Sequence, residues 1–157
     1  MEGNGMPEDA RSRRLRTGRF SECGRIYLIS FNVNNRRPVF DNWQKGRLVV
    51  DELRRAQQQE LAFSLAWVVM PDHVHWLLEL KHASLGRLMK QVKARSAISI
   101  NRALSGDRFR WQSGYHDTAI RNEHQVMHFA RYIVANPLRA GLVARIGDYP
   151  LWDAVWL

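Results

Sequence analysis

Two strand-length segments separated by only two residues constrain the fold of this chain most strongly. Segments 63–70 and 73–80 are rich in β-branched, aromatic and aliphatic residues, and only Pro71-Asp72 lies between them. So short a break cannot hold the crossover that joins parallel strands, so the two segments are predicted to form an antiparallel hairpin. Pro71 has no N–H to donate to a strand ladder, which is consistent with a turn at this point.

The regions around this hairpin alternate between strand and helix patterns. Residues 26–31 predict a first strand, and a helix with Asp41 as N-cap is predicted to follow and to run to about Gln59. After the hairpin, Ser84 caps a second helix, and a fourth strand is predicted at about 115–120. The order β-α-β-β-α-β predicts an α+β, ferredoxin-like (RRM-like) sandwich with a four-stranded antiparallel sheet.

A third helix and a basic N-terminal arm complete the predicted organisation. The helix starts at Asn122 or Glu123 and is predicted to stop at Pro137, because the residue before a proline disfavours helical geometry. Residues 1–22 carry five arginines and little apolar periodicity, so they are expected to form a flexible arm. Residues 23–157 are then expected to form a single domain.

The charge balance indicates the kind of partner. The chain has 24 Lys and Arg residues, only four of them lysines, against 15 Asp and Glu, which gives a net charge of +9. Because the arginine fork binds phosphate bidentately, a nucleic-acid partner is expected, although a genome that prefers arginine codons would give the same count. The single cysteine, Cys23, excludes an internal disulfide framework. No apolar run is long enough to span a membrane, so a cytosolic protein is expected.

His73 and His75 form the first candidate functional pair. Residues i and i+2 of a strand project from the same face, so the two imidazoles are predicted to lie together. Two neutral histidines can bind one divalent cation if a third ligand comes from elsewhere. Two histidines on a polar strand face that binds no metal would show the same spacing. The pair alone therefore does not distinguish a metal site from a polar strand face.

The third helix carries the second candidate pair. Tyr132 and Asn136 are four residues apart and are therefore neighbours on one helix face. The amide oxygen of Asn136 could complete a two-histidine site, with the Tyr132 phenol one turn away. The structural alternatives are a tyrosine at the edge of the core and a helix C-cap before Pro137.

The segments that carry these pairs resemble the REP-associated tyrosine transposases, relatives of the single-tyrosine HUH transposases. The two longer segments are 67–77 (WVVMPDHVHWL) and 131–143 (RYIVANPLRAGLV). Supporting segments are 24–29, 36–40, 114–117 and 120–122. The resemblance extends from about Gly18 to Trp152.

The resemblance implies an activity and a set of active-site residues. It implies a transposase that cleaves and joins single-stranded DNA through a 5′-phosphotyrosine intermediate on Tyr132. The HUH motif falls on His73, Val74 and His75, and the two histidines with Asn136 would bind Mg²⁺ or Mn²⁺. The implied partners are single-stranded DNA hairpins, such as repetitive extragenic palindromes, bound by a monomer or homodimer.

Contacts to DNA are expected outside this set. The G-T-x-Y element with which relatives contact the foot of a hairpin corresponds here to Gly24, Arg25, Ile26 and Tyr27. Arginine stands in the threonine position, which leaves the hairpin sequence open. Further contacts are expected from Arg36, Arg37, Arg87, Lys90, Lys93 and Arg121.

Alternatives exist for the nucleophile and for the activity. Tyr115 is the rival nucleophile because His116 and Asp117 follow it, but adjacent strand residues face opposite sides of a sheet, which favours Tyr132. A non-catalytic RRM-like nucleic-acid-binding domain, a domesticated inactive transposase and a metal-dependent hydrolase are the alternative functions.

Overall fold

The computed structural model describes residues 22–103 and 106–156, so the predicted basic arm, apart from Glu22, lies outside the described residues. Its antiparallel sheet contains five strands in the order β4-β1-β3-β2-β5. The strands are β1 (Ile26–Asn32), β2 (Ala62–Val69), β3 (His73–Leu80), β4 (His116–Ile120) and β5 (Trp152–Ala154). The helices are α1 (Trp43–Gln58), α2 (Leu85–Ala103), α3 (Glu123–Val134) and the short α4 (Asn136–Arg139).

The α+β class, the order of the first four strands and two helices, and the β2–β3 hairpin are confirmed. The prediction of a four-stranded sheet is wrong. β5 adds a fifth strand by pairing with the outer side of β2. It is only three residues long, so its sequence carries no measurable strand periodicity.

The sheet has helices on both faces, and each face has its own hydrophobic core. We call the side covered by α1 and α2 the two-helix face, and the other side the α3 face. The strands alternate between them: in β3, Val74, Trp76 and Leu78 pack on the two-helix face, whereas Leu77 packs on the α3 face. The same alternation places His73 and His75 on the α3 face.

The helix ends agree with the predictions only in part. Ser84 caps α2 as expected, because its hydroxyl accepts a hydrogen bond from the backbone N–H of Arg87 at 3.1 Å. The cap of α1 is Asn42 rather than Asp41, and its side chain accepts from two backbone N–H groups of the first turn. The third helix does not continue to Pro137; α3 ends at Val134, and Pro137 lies in the first turn of α4, where its missing N–H costs no bond.

No helix in the described part of the chain is long and apolar enough to cross a membrane.

Candidate active site

The two histidines of β3 lie side by side on the α3 face, as predicted. The centroids of the His73 and His75 rings are 4.8 Å apart, and the rings are nearly perpendicular, at 87°. β3 is the central strand and pairs with β1 and β2 on its two sides, which gives both rings a rigid backbone support.

Asp72 fixes the orientation of the His73 ring. Its Oδ1 lies 2.6 Å from His73 Nδ1, and its Oδ2 accepts a 2.8 Å hydrogen bond from Arg36 Nε. Burial alone would raise the pKa of Asp72, but hydrogen bonds from His73 and Arg36, with their charges, outweigh it and lower the pKa below 3.8. A carboxylate only accepts hydrogen bonds, so this contact turns His73 Nδ1 towards Asp72 and leaves Nε2 as the ring nitrogen that could face a ligand.

His75 is kept in its neutral form. Burial, followed by the charges of His73, Arg139 and Arg36, lowers the pKa of His75 from 6.5 to about 4. At neutral pH its imidazole is therefore unprotonated, which is the form that binds a metal ion.

Tyr132 is brought to these histidines by α3. Val126, Ala130 and Ile133 of this helix are buried against the strands of the α3 face. Tyr132 lies next to this buried stripe, is 44% exposed, and meets His75 edge-on with ring centroids 6.2 Å apart. The predicted nucleophile and the predicted metal ligands are thus neighbours within one chain.

Asn136 is the first residue of α4, one helical turn after Tyr132. Its amide Nδ2 is buried and has no hydrogen-bond partner among the described residues. The nitrogen and oxygen of an amide are interchanged by a 180° flip, so an unpaired amide here suits a role as an oxygen ligand. Within residues 22–103 and 106–156, no three His, Cys, Asp or Glu side chains form a group that could hold a metal ion. A third protein ligand to the histidine pair would therefore be an amide such as Asn136, and the donor set fits a divalent cation.

The expected DNA contacts divide between the two ends of the sheet. Gly24 and Arg25 precede β1, and Arg121 follows β4; because the start of β1 pairs with the end of β4, these residues share one end. Arg36 and Arg37 follow β1 at the other end, where Arg36 binds Asp72. Only this second group adjoins the histidines.

Two of the residues predicted to contact DNA make hydrogen bonds within the protein. Tyr27 is only 6% exposed, packs on the two-helix face, and accepts a hydrogen bond on its hydroxyl from the Glu22 backbone N–H at 3.0 Å. Lys93 is half-buried, and its Nζ donates to the carbonyls of Gln112 and Gly114 at 2.8 and 2.7 Å. Both side chains are engaged within the protein, and their contacts with DNA stay predictions.

The helical cations and the rival nucleophile also lie away from the histidines. Arg87 and Lys90 are exposed on α2, which covers the two-helix face, so the sheet separates them from His75. Tyr115 packs against the core of that same face. The prediction that Tyr115 and His116 face opposite sides of the sheet is confirmed, and the choice of Tyr132 as nucleophile stays a prediction.

Sequence reasoning gave no role to three residues that adjoin the site. Asp72 directly precedes His73, and a carboxylate beside a histidine ligand was a usable signal. Arg139 lies seven residues after Tyr132, a spacing that returns to the same helix face. His116 occupies the same cross-strand row as His75, with Ser30 between them, which only the strand register reveals.

Comparisons with known proteins agree with this architecture. The family described as "Transposase IS200 like" matches residues 24–136, which include both histidines, Tyr132 and Asn136. The REP-associated tyrosine transposase of Escherichia coli (strain K12) is 27% identical over 131 residues, covering 81% of this chain and 74% of that protein.

Two solved structures have the same fold. A REP-associated tyrosine transposase bound to a REP hairpin matches with a TM-score of 0.71 and 24% identity, over 85% of this chain and 79% of that chain. A proposed transposase from Deinococcus radiodurans matches with a TM-score of 0.51 and 22% identity, over 85% of this chain and 95% of that chain.

Proposed function

The chain belongs to the IS200-like transposases, enzymes that cleave and join DNA, and we propose that it cleaves single-stranded DNA hairpins through a covalent bond to Tyr132. The observation that carries this proposal is the contact between the Tyr132 ring and His75, at 6.2 Å between centroids. A partly exposed phenol next to two imidazoles places a nucleophile beside a possible cation site. A domain that only binds nucleic acid needs neither the nucleophile nor the cation site.

The reaction requires one bond to form and one to break. The Tyr132 oxygen attacks a backbone phosphorus, the bond from phosphorus to the 3′ oxygen breaks, and a 5′-phosphotyrosine remains. The phenol proton passes to solvent, and the departing 3′ oxygen takes up a proton to become a hydroxyl. A 3′-hydroxyl of another strand can reverse the step, so the bond energy is conserved.

His73, His75 and Asn136 would hold Mg²⁺ or Mn²⁺ in this site. When bound, the cation supplies Lewis-acid stabilisation of the phosphate charge and a template for the strand. The protein prepares the histidines: Asp72 orients the ring of His73, and burial keeps His75 unprotonated. Arg36, which binds Asp72 beside the pair, contributes positive charge at the same end of the sheet.

A hairpin substrate is supported by the relatives and by charge. The E. coli relative is named for its association with REP sequences, and the relative of known structure is bound to a REP hairpin. The net charge of +9 suits a folded DNA strand, and affinity is expected to fall steeply with salt.

A covalent-adduct assay tests the proposal. A hairpin oligonucleotide labelled at its 3′ end is incubated with the protein and Mn²⁺ and run on a denaturing protein gel, because the 3′ fragment keeps the phosphate that Tyr132 attacks. The wild type and Tyr115→Phe should give a labelled protein band, and Tyr132→Phe should give none. Tyr132→Phe keeps the ring and removes only an oxygen from a side chain 44% exposed, so folding should be unchanged.

Other outcomes would overturn the proposal. Free 5′-phosphate products without an adduct would indicate a metal-dependent hydrolase. A retarded hairpin without cleavage would indicate a binding domain or an inactive relative. An adduct that persists in Tyr132→Phe would move the nucleophile to another residue.

A further inference from the structure

Arg139 contacts the proposed nucleophile in two ways. It is the last residue of α4, and its guanidinium carbon lies 3.8 Å from the centroid of the Tyr132 ring. Its Nη2 also donates a 2.8 Å hydrogen bond to the backbone carbonyl of Tyr132. One guanidinium therefore holds both the side chain and the backbone of the same residue.

The backbone contact stabilises the end of α3. The Tyr132 carbonyl is among the last four of this helix, which have no donor within a regular helix. A basic side chain can supply that donor and also offsets the partial negative charge at a helix C-terminus. Arg139 thereby fixes α4 against the turn that carries the tyrosine.

The ring contact restricts the phenol. A tyrosine that is 44% exposed can adopt other rotamers, and the edge contact with His75 restrains it on one part of the ring only. Stacking of the guanidinium on the ring adds a second restraint.

We propose that Arg139 is a positioning residue that fixes the Tyr132 phenol for attack on the DNA phosphate. The inference rests on the proposed role of Tyr132 as nucleophile. This role of Arg139 requires a planar guanidinium, which can stack on the ring while one of its N–H groups binds the carbonyl. A lysine ammonium has no flat face and cannot make both contacts.

Reaction rates give the first test. Adduct formation is measured in single turnover at saturating hairpin, for Arg139→Ala, Arg139→Lys and the matched control Arg131→Ala. Arg131 is exposed on the same helix end, next to Tyr132 in sequence. The two Arg139 variants should lose about 10- to 100-fold in rate, because misplacing a reacting group by about 1 Å costs about 100-fold. Their hairpin affinity should change no more than that of Arg131→Ala, and millimolar guanidinium ion should restore part of the rate in Arg139→Ala alone.

The position of the ring gives a second test that needs neither metal nor DNA. The protein is labelled with 3-fluorotyrosine, and the fluorine resonance of Tyr132 is assigned by its loss in Tyr132→Phe. In Arg139→Ala this resonance should move and narrow, while those of Tyr27, Tyr115 and Tyr149 should not.

The failures are distinguishable. An unmoved Tyr132 resonance, or rates in both Arg139 variants equal to that of Arg131→Ala, would overturn the role of Arg139. A wild-type rate in Arg139→Lys would overturn the requirement for a guanidinium. Absence of any adduct in the wild type would instead overturn the proposed function. If Arg139→Ala fails to fold in a urea titration, Arg139→Lys, which keeps the charge and the side-chain stem, decides the question.

Discussion

Lowering the pH from 7 to 5 is expected to destabilise the folded protein through His75. Burial, and then the charges of His73, Arg139 and Arg36, lower the pKa of this residue from 6.5 to about 4. Between those two values the unfolded chain binds a proton at His75 and the folded chain does not. The contribution of neutral His75 to stability is therefore complete above pH 6.5 and is lost as the pH falls towards 4.

The expected size follows from the shift in pKa. The difference from 6.5 to about 4 corresponds to about 3 kcal/mol of unfolding free energy once the pH is below both values. About 2 kcal/mol of this is lost between pH 7 and pH 5. Because a domain is stable by only about 5–15 kcal/mol, a loss of this size is easily measured.

Urea unfolding of a non-titrating variant isolates the effect. His75→Gln removes the titrating group, and His82→Gln is the matched control because the His82 side chain is exposed. EDTA is present throughout, so that metal binding does not add to stability. From pH 7 to pH 5, the wild type and His82→Gln should lose about 2 kcal/mol more than His75→Gln. Equal losses in the wild type and His75→Gln would refute the argument that burial keeps this imidazole neutral.

Three further substitutions test the structure elsewhere. Asp72→Asn should weaken Mn²⁺ binding by about 10- to 100-fold in calorimetry because it no longer fixes the ring of its histidine neighbour, and an unchanged affinity would exclude that role. Ile133→Ala should lower the unfolding free energy in urea by about 2–5 kcal/mol, since the side chain is fully buried; a loss below 1 kcal/mol would mean that α3 is not anchored there. Lys93→Met should lower the unfolding free energy by about 1–3 kcal/mol, because two carbonyls of loop 112–114 lose their donor. The salt dependence of hairpin binding should be unchanged, and a flatter salt slope would indicate that Lys93 contacts a phosphate.

The hairpin and the histidine pair could be predicted because both depend on local rules. A two-residue break permits only an antiparallel pairing, and the spacing of His73 and His75 places them on one face of whatever strand they occupy. The helical spacing of Tyr132 and Asn136 is equally local. The face of the sheet that α3 covers does not follow from a local rule. The sequence therefore predicted that the histidine pair lies near Tyr132 and Asn136 only through the family resemblance.

The burial of Tyr27 could not be predicted because β1 is apolar on both sides. Ile29 and Phe31 are buried on the two-helix face, while Ile26 and Leu28 pack against the core of the α3 face. Without a polar–apolar alternation, the sequence does not show which set of side chains is more deeply buried. Tyr27 belongs to the first set, and its hydroxyl is used by the backbone of Glu22.

The partners of Lys93 and Arg139 could not be predicted because they are set by tertiary structure. Lys93 lies among exposed cations on α2, but the loop after that helix passes within hydrogen-bond distance of its ammonium group. Arg139 is separated from Tyr132 by Pro137, which predicts the end of a helix. The chain instead continues as α4, and this continuation returns the guanidinium to the tyrosine.

The helix α3 both forms the hydrophobic core of the α3 face and positions Tyr132 beside His75. Successive residues on a helix are rotated by about 100°, so Ile133 can be buried against the sheet while its neighbour Tyr132 stays half-exposed beside His75. β3 divides its residues in the same way, with Trp76 in one core and His75 at the site. The proposed nucleophile and the two histidines are therefore held by elements that also form the cores, not by a separate loop. Any change that shifts α3 on the sheet is therefore expected to change the distance from the Tyr132 phenol to the histidines.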